Sequence, residues 1–164
     1  MKIILCGYKL IGCEILSSLL KRNYEVYVYT HESPFFIHDL KQACINHDIE
    51  FSTKKISIDN IPFKPDLICV AYYNYIIPKD IINFCDNKIF NIHPSLLPKF
   101  RGCSSITWAL INNEKYTGFT YHYIDENIDT GNIIFQKEIK INSYDTGGSL
   151  YMKVMLEAAD HFEY

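Results

Sequence analysis

The chain has 164 residues, enough for one domain that buries about 70% of its unfolded surface. Hydrophobic residues make up 48% of it and charged residues 21%, a balance that excludes intrinsic disorder. A net charge of −3 supplies no general polyanion-binding field, so a large nucleic-acid partner is disfavoured while a small phosphorylated ligand stays open.

In chain order, short β-rich runs alternate with helical patterns. This predicts an α/β fold with a Rossmann-like, mostly parallel sheet flanked by helices. "KIILCGY" (2–8) reads as the first strand, and the helix after it carries an apolar stripe of Ile11, Ile15, Leu16, Leu19 and Leu20. "YEVYVYT" (24–30) is a second strand, after which Ser33 and Pro34 suit the cap and first turn of a helix to about His47. A weak strand at 49–52 precedes a polar loop with Pro62 and Pro65, and "DLICVAYY" (66–73) reads as a fully buried strand. A short helix from Pro78, a strand "KIFNIHP" (88–94) and a helix over 104–113 follow. "GFTYHYID" (118–125) and "NIIFQKEIKI" (132–141) are late strands, and an amphipathic helix closes the chain from Tyr144. No repeat, low-complexity tract or composition break divides the sequence, so 1–164 reads as one domain.

Six scattered cysteines without a C-x-x-C pair, most of them in apolar runs, read as reduced thiols of a cytoplasmic protein. "MKIILCGYK" is too short in its apolar part for a signal peptide, and no stretch has the length of a transmembrane helix, so no membrane partner is expected. The six histidines include no H-E-x-x-H and no zinc spacing, so no metal is expected.

Gly7 and Gly12 after the first strand do not form G-x-G-x-x-G, and no acidic residue closes the second strand. A plain strand-to-helix turn near a ligand fits better than nicotinamide binding. His122 alternates with Tyr121 and Tyr123 and reads as structural, and His161 near the terminus as solvated. "FNIHPSLLPKFRG" (90–102) is different, because open α/β sheets bind ligands beyond the carboxyl ends of their strands. Asn91 and His93 are two apart in an extended run and face one side together. An amide that donates without titrating, beside an imidazole that exchanges protons near neutrality, suits a carbonyl oxygen that becomes an oxyanion. A strand end running into a stiff loop explains the same residues equally well. In "YIDENIDTGNIIFQ" (123–136), Asp125, Glu126 and Asp129 crowd a short loop that reads either as a hydrophilic turn or as the carboxylate partner of that imidazole.

Together, "NIHPSLLPKFRG", "ITWALINNE" and "TGFTYHYIDENIDTGNII" resemble the signature of the N10-formyltetrahydrofolate-dependent formyltransferases, including the 38-residue interval from Asn91 to Asp129. The resemblance implies a catalytic set of Asn91, His93 and Asp129, in which a substrate amine attacks the formyl carbon carried by the folate. Asn91 and His93 would stabilise the tetrahedral oxygen, and Asp129 would orient the imidazole and assist proton removal. It further implies a folate slot at Tyr75, Ile76, Ile77, Asp125, Glu126 and Ile128. Arg101 where the purine-pathway branch usually has Pro, together with Trp108, looks more like the initiator-tRNA and sugar-nucleotide branches. The resemblance is closest to sugar-nucleotide N-formyltransferases, which implies formylation of a nucleotide-linked amino sugar for O-antigen or surface polysaccharide. Tyr8, Lys9, Lys99 and Arg101 would then be candidates for the substrate's phosphates. Methionyl-tRNA or glycinamide ribonucleotide formyl transfer, and a truncated folate- or nucleotide-binding module, are the alternatives. Family members usually extend past this chain's length, and the extension often completes a homodimer interface or the nucleotide pocket.

Overall fold

In the computed structural model, residues 1–34 and 39–162 are described. Seven strands lie in one mostly parallel sheet, in the order β3-β2-β1-β4-β5-β6-β7, as the alternating pattern requires. Two compact units divide the chain, Met1–Phe90 and Asn91–Phe162.

In the first unit, β1 (Lys2–Gly7) runs parallel to both β2 (Glu25–Tyr29) and β4 (Leu67–Ala71). A strand paired on both edges and covered on both faces must be apolar throughout. Ile3, Ile4, Leu5 and Cys6 are accordingly all at most 1% exposed. The two-residue β3 (Phe51–Ser52) extends β2, shorter than the run at 49–52 suggests. α1 (Lys9–Lys21) buries Leu10, Ile11, Ile15, Leu16 and Leu19, so the predicted stripe holds with Leu10 in place of half-buried Leu20. Gly12 lies inside α1, where an added Cβ would come 2.8 Å from the Leu40 side chain. The two glycines of "CGYKLIG" thus divide between a strand end and a helix contact.

α2 spans Leu40–Asn46 and differs from expectation at its start. Its cap is Asp39, whose carboxylate accepts the Lys41 N–H at 2.9 Å; Ser33 and Pro34 lie in no helix, and 35–38 fall outside the described residues. An aspartate accepts an orphan helix N–H as well as a serine does, and it also meets the positive helix end with a full charge. β4 is followed by α3 (Lys79–Phe84), with Pro78 at its N-cap as expected. The first two residues of β5 (Ile89–His93) close this unit.

The second unit holds the end of β5, α4 (Ser105–Ile111), β6 (Tyr116–Tyr123), β7 (Ile133–Lys140) and α5 (Gly147–Asp160). β6 and β7 are antiparallel, with a register shift between Tyr121 and His122: Tyr121 opposes Phe135 and His122 opposes Ile133. α5 starts at a Thr146–Ser149 capping box, three residues beyond Tyr144, and buries Leu150, Val154, Met155, Ala158 and Ala159. His161 is held rather than solvated: Nδ1–H donates to the Glu157 carbonyl at 2.8 Å, Lys137 Nζ donates to Nε2 at 3.1 Å, and the ring stacks on Phe135.

The cap assignment is checked by paired substitutions. Asp39→Ala costs about 1 kcal/mol in urea denaturation, whereas Ser33→Ala stays within about 0.5 kcal/mol. Equal losses at the two positions would restore the earlier helix start.

Candidate active site

β5 ends by pointing Asn91 and His93 out of the same strand edge, and His93 is only 4% exposed. Nε2 of His93 lies 2.9 Å from the Phe100 carbonyl oxygen. A carbonyl only accepts, so Nε2 carries the ring proton. The other nitrogen, Nδ1, faces Asp129 Oδ2 at 3.3 Å. The sequence-predicted trio is thereby brought together within the second unit, although its separation along the chain is 38 residues.

Asp129 sits in the β6–β7 connection at a left-handed φ of +52°, a backbone region aspartate tolerates better than most residues. Its Oδ2 accepts the Gly102 N–H at 2.8 Å, and its Oδ1 lies 3.5 Å from His122 Nε2. Asp125 organises the same connection: its Oδ1 accepts the Asn127 N–H at 3.0 Å and the Thr130 hydroxyl at 2.6 Å. Gly131 then passes so close to Tyr123 that an added Cβ would lie 1.8 Å from the Tyr123 carbonyl oxygen.

The segment after His93 has two jobs. Side chains fasten its first half: Thr120 Oγ1 donates to the Ser95 carbonyl at 2.6 Å, Gln136 Nε2 to the Leu97 carbonyl at 2.8 Å, and Ser105 Oγ to the Pro94 carbonyl at 2.9 Å. In its second half Phe100, Gly102 and Ser104 all have positive φ, of 55°, 80° and 62°. That alternating backbone aims the Phe100 carbonyl at His93 and the Gly102 N–H at Asp129. Backbone strain of this kind concentrates where a structure must hold groups in one place. Neither group was visible in the sequence, because a backbone carbonyl or N–H has no residue identity. Only the glycine at 102 hinted at the turn.

His122 also belongs to the site. It is 2% exposed, and its Nε2 lies 3.1 Å from Asn91 Nδ2 as well as 3.5 Å from Asp129. The register shift nearby leaves Ile134 of β7 without a partner in β6, while His122 keeps the alternation of its own strand.

Burial pushes the His93 imidazole below its ordinary value of 6.5, outweighing the upward pull of the Asp129 carboxylate and the Phe100 carbonyl. Burial pushes the Asp129 carboxyl up, but His122, His93 and the Gly102 N–H together hold it below its ordinary 3.8. At neutral pH the site therefore presents a carboxylate beside a neutral imidazole. Such a pair is unprotonated at rest and has one place between Nδ1 and Oδ2 to accept a proton.

The other sequence-predicted residues are distributed over both units. In the second, Lys99 Nζ pairs with Glu114 at 3.0 Å, Arg101 is exposed between Phe100 and Gly102, and Glu126 and Ile128 are exposed. In the first, Lys9 is no plain solvated lysine: its Nζ lies over the Tyr72 and Tyr8 rings at 4.6 and 5.7 Å, and 3.4 Å from the Tyr72 hydroxyl. Tyr75 and Ile76 are 42% and 74% exposed, and Ile77 is buried. His31 joins them, accepting the Asn74 N–H on Nε2 at 3.0 Å and lying against Tyr8, Tyr73 and Tyr75.

A family model described as formyl transferase matches residues 34–162. The chain belongs to the formyl transferase family. Among curated relatives, it is 40% identical to the bifunctional polymyxin resistance protein ArnA of Wigglesworthia glossinidia brevipalpis, covering 94% of this chain and 25% of ArnA. It is 32% identical to the GDP-perosamine N-formyltransferase of Brucella melitensis, covering 96% of this chain and 64% of that protein. The N-formyltransferase of Helicobacter canadensis, solved in complex with folinic acid and dTDP-3-aminofucose, superposes with a TM-score of 0.85 at 27% identity, over 98% of this chain and 60% of that one. Methionyl-tRNA formyltransferases and phosphoribosylglycinamide formyltransferases are among the further matches. This family member thus spans less than two thirds of the length of these three.

The electrostatics of the pair are checked by NMR of the imidazole carbons. His93 titrates below 6.5, and Asp129→Asn lowers it further, because the substitution removes the anion that pulls it up. An upward move in the variant would contradict the arrangement.

Proposed function

We propose that the chain transfers a formyl group from N10-formyltetrahydrofolate to the amine of a nucleotide-linked amino sugar. The observation that carries the reading is the convergence of the Asn91 amide, the buried His93 imidazole and the Asp129 carboxylate in one cluster. Each has a role in acyl transfer to an amine. The amine's lone pair bonds to the formyl carbon, and the carbonyl pair moves onto oxygen. Asn91 uses one Nδ2–H on His122 and has a second for that oxyanion. The His93 Nε2–H, now on the Phe100 carbonyl, is the second donor within reach, and the oxyanion competes for it with a weaker neutral acceptor.

As the nitrogen becomes cationic, its proton passes to the His93–Asp129 pair, whose Nδ1 and Oδ2 lie 3.3 Å apart with room for that proton. Collapse of the intermediate breaks the bond to the folate N10, which takes up the proton and leaves as tetrahydrofolate. The product is the formamide. The apolar surface exposed at Tyr75 and Ile76 suits a flat pterin. Arg101, exposed beside Gly102, is the cation for the diphosphate, while Lys99 would first have to leave Glu114.

The sugar-nucleotide choice rests on the relatives' substrates and on the net charge of −3, which gives no field for a tRNA. A panel of dTDP-, UDP- and GDP-linked amino sugars, incubated with N10-formyltetrahydrofolate and read by mass spectrometry, tests it. One or more formylated sugars are expected, and formylation of glycinamide ribonucleotide alone would overturn the substrate class. With a reacting sugar in hand, Asn91→Ala lowers kcat by about 100- to 1000-fold and His93→Ala by about 100- to 10000-fold. Near-full rate in His93→Ala would sink the mechanism.

A further inference from the structure

We propose that His122 is a positioning residue for Asn91, fixing which end of that amide faces the reacting oxygen; this rests on the formyl-transfer reading above. The inference follows from where the protons on His122 can be. Its Nδ1 lies 2.9 Å from the Tyr123 carbonyl oxygen, and that oxygen only accepts, so Nδ1 carries the proton. In a neutral imidazole Nε2 is then a bare lone pair, and it is 2% exposed, so water does not satisfy it. Two groups stand near it. Asp129 Oδ1 at 3.5 Å has no proton to offer, while Asn91 Nδ2 at 3.1 Å has two. The lone pair therefore selects the nitrogen end of the Asn91 amide.

The two ends of an asparagine amide are nearly equal in shape and opposite in hydrogen bonding. If the amide turned over, its oxygen would face the His122 lone pair and its single donor group would leave the site. The oxyanion would then meet an acceptor instead of a donor. His122 prevents this without touching the substrate. Its own tautomer is set in turn by Tyr123, whose backbone Gly131 packs against so closely that an added Cβ would lie 1.8 Å from the carbonyl oxygen. The chain of constraint runs from a glycine through a carbonyl and a histidine to the oxyanion donor.

His122 Nε2 holds the Asn91 NH2 with no group between them. The charged and titratable groups facing it are Asp129 and, with ring centroids 6.4 Å apart, His93. The Asn91 side-chain amide thus reports the state of His122 directly, with no turnover needed.

Two measurements on the intact chain test the proposal. In the wild type, the Asn91 side-chain 15NH2 resonances carry the downfield shift of the hydrogen bond to His122 Nε2, and in His122→Gln they move. In kinetics, His122→Phe, which removes the acceptor, lowers kcat by about 10- to 100-fold with both KM values within about threefold. His122→Gln, whose carbonyl can still accept from Asn91, recovers most of the rate. Asn91 resonances indifferent to His122→Gln would overturn the proposal, as would a kcat within twofold of wild type in His122→Phe. If His122→Phe does not fold, the resonances and the glutamine variant decide. If His93→Ala keeps its rate, the formyl-transfer reading fails, and the Asn91 resonances still decide the role of His122.

Discussion

Everything in the site is arranged around one carboxylate that is short of water and rich in partners. Asp129 has a side chain 13% exposed and is met by His93 on one oxygen, by His122 on the other and by the Gly102 N–H. Removing an anion from water is costly, and the cost is offset only when donors and dipoles are already aimed at it. The hairpin connection and the strained segment after β5, which presents the Gly102 N–H, contribute to that aim. Both imidazoles have one nitrogen tied to a backbone carbonyl, so their second nitrogens face Asp129.

The second unit therefore holds the cluster of Asn91, His93, His122 and Asp129, while the first offers surfaces of another kind: aromatic rings, a lysine lying over two of them, and exposed Tyr75 and Ile76. Relatives named for different acceptors, GDP-perosamine and methionyl-tRNA, both align with this chain.

The sequence disclosed what periodicity and side-chain identity carry. Strands buried on both faces, such as β1, announce themselves as unbroken apolar runs, and α1 showed its stripe almost residue for residue. Asn91, His93 and Asp129 were legible because their functional groups are in their names and their spacing matched a known signature. The start of α2 was missed because Ser33-Pro34 is a sound capping pattern and nothing local ranks it below Asp39. His122 read only as structural because alternation with Tyr121 and Tyr123 says nothing of its contacts to Asn91 and Asp129, which come from another strand and a loop. The Phe100 carbonyl and Gly102 N–H were out of reach in principle, as any residue has them and only the φ angles give them direction.

Because residues 100 and 102 act through peptide groups, that stretch of chain obeys an unusual grammar. Its spelling is loosely constrained: Arg101 lies exposed between the two working positions, and its side chain is free to vary with whatever the acceptor demands. Its length is not. Adding or deleting one residue there would swing the carbonyl away from His93 and the N–H away from Asp129 together. Diversification at this rim is therefore expected to proceed by exchange of letters and hardly ever by insertion. A library built to retarget the acceptor should randomise position 101 at constant loop length.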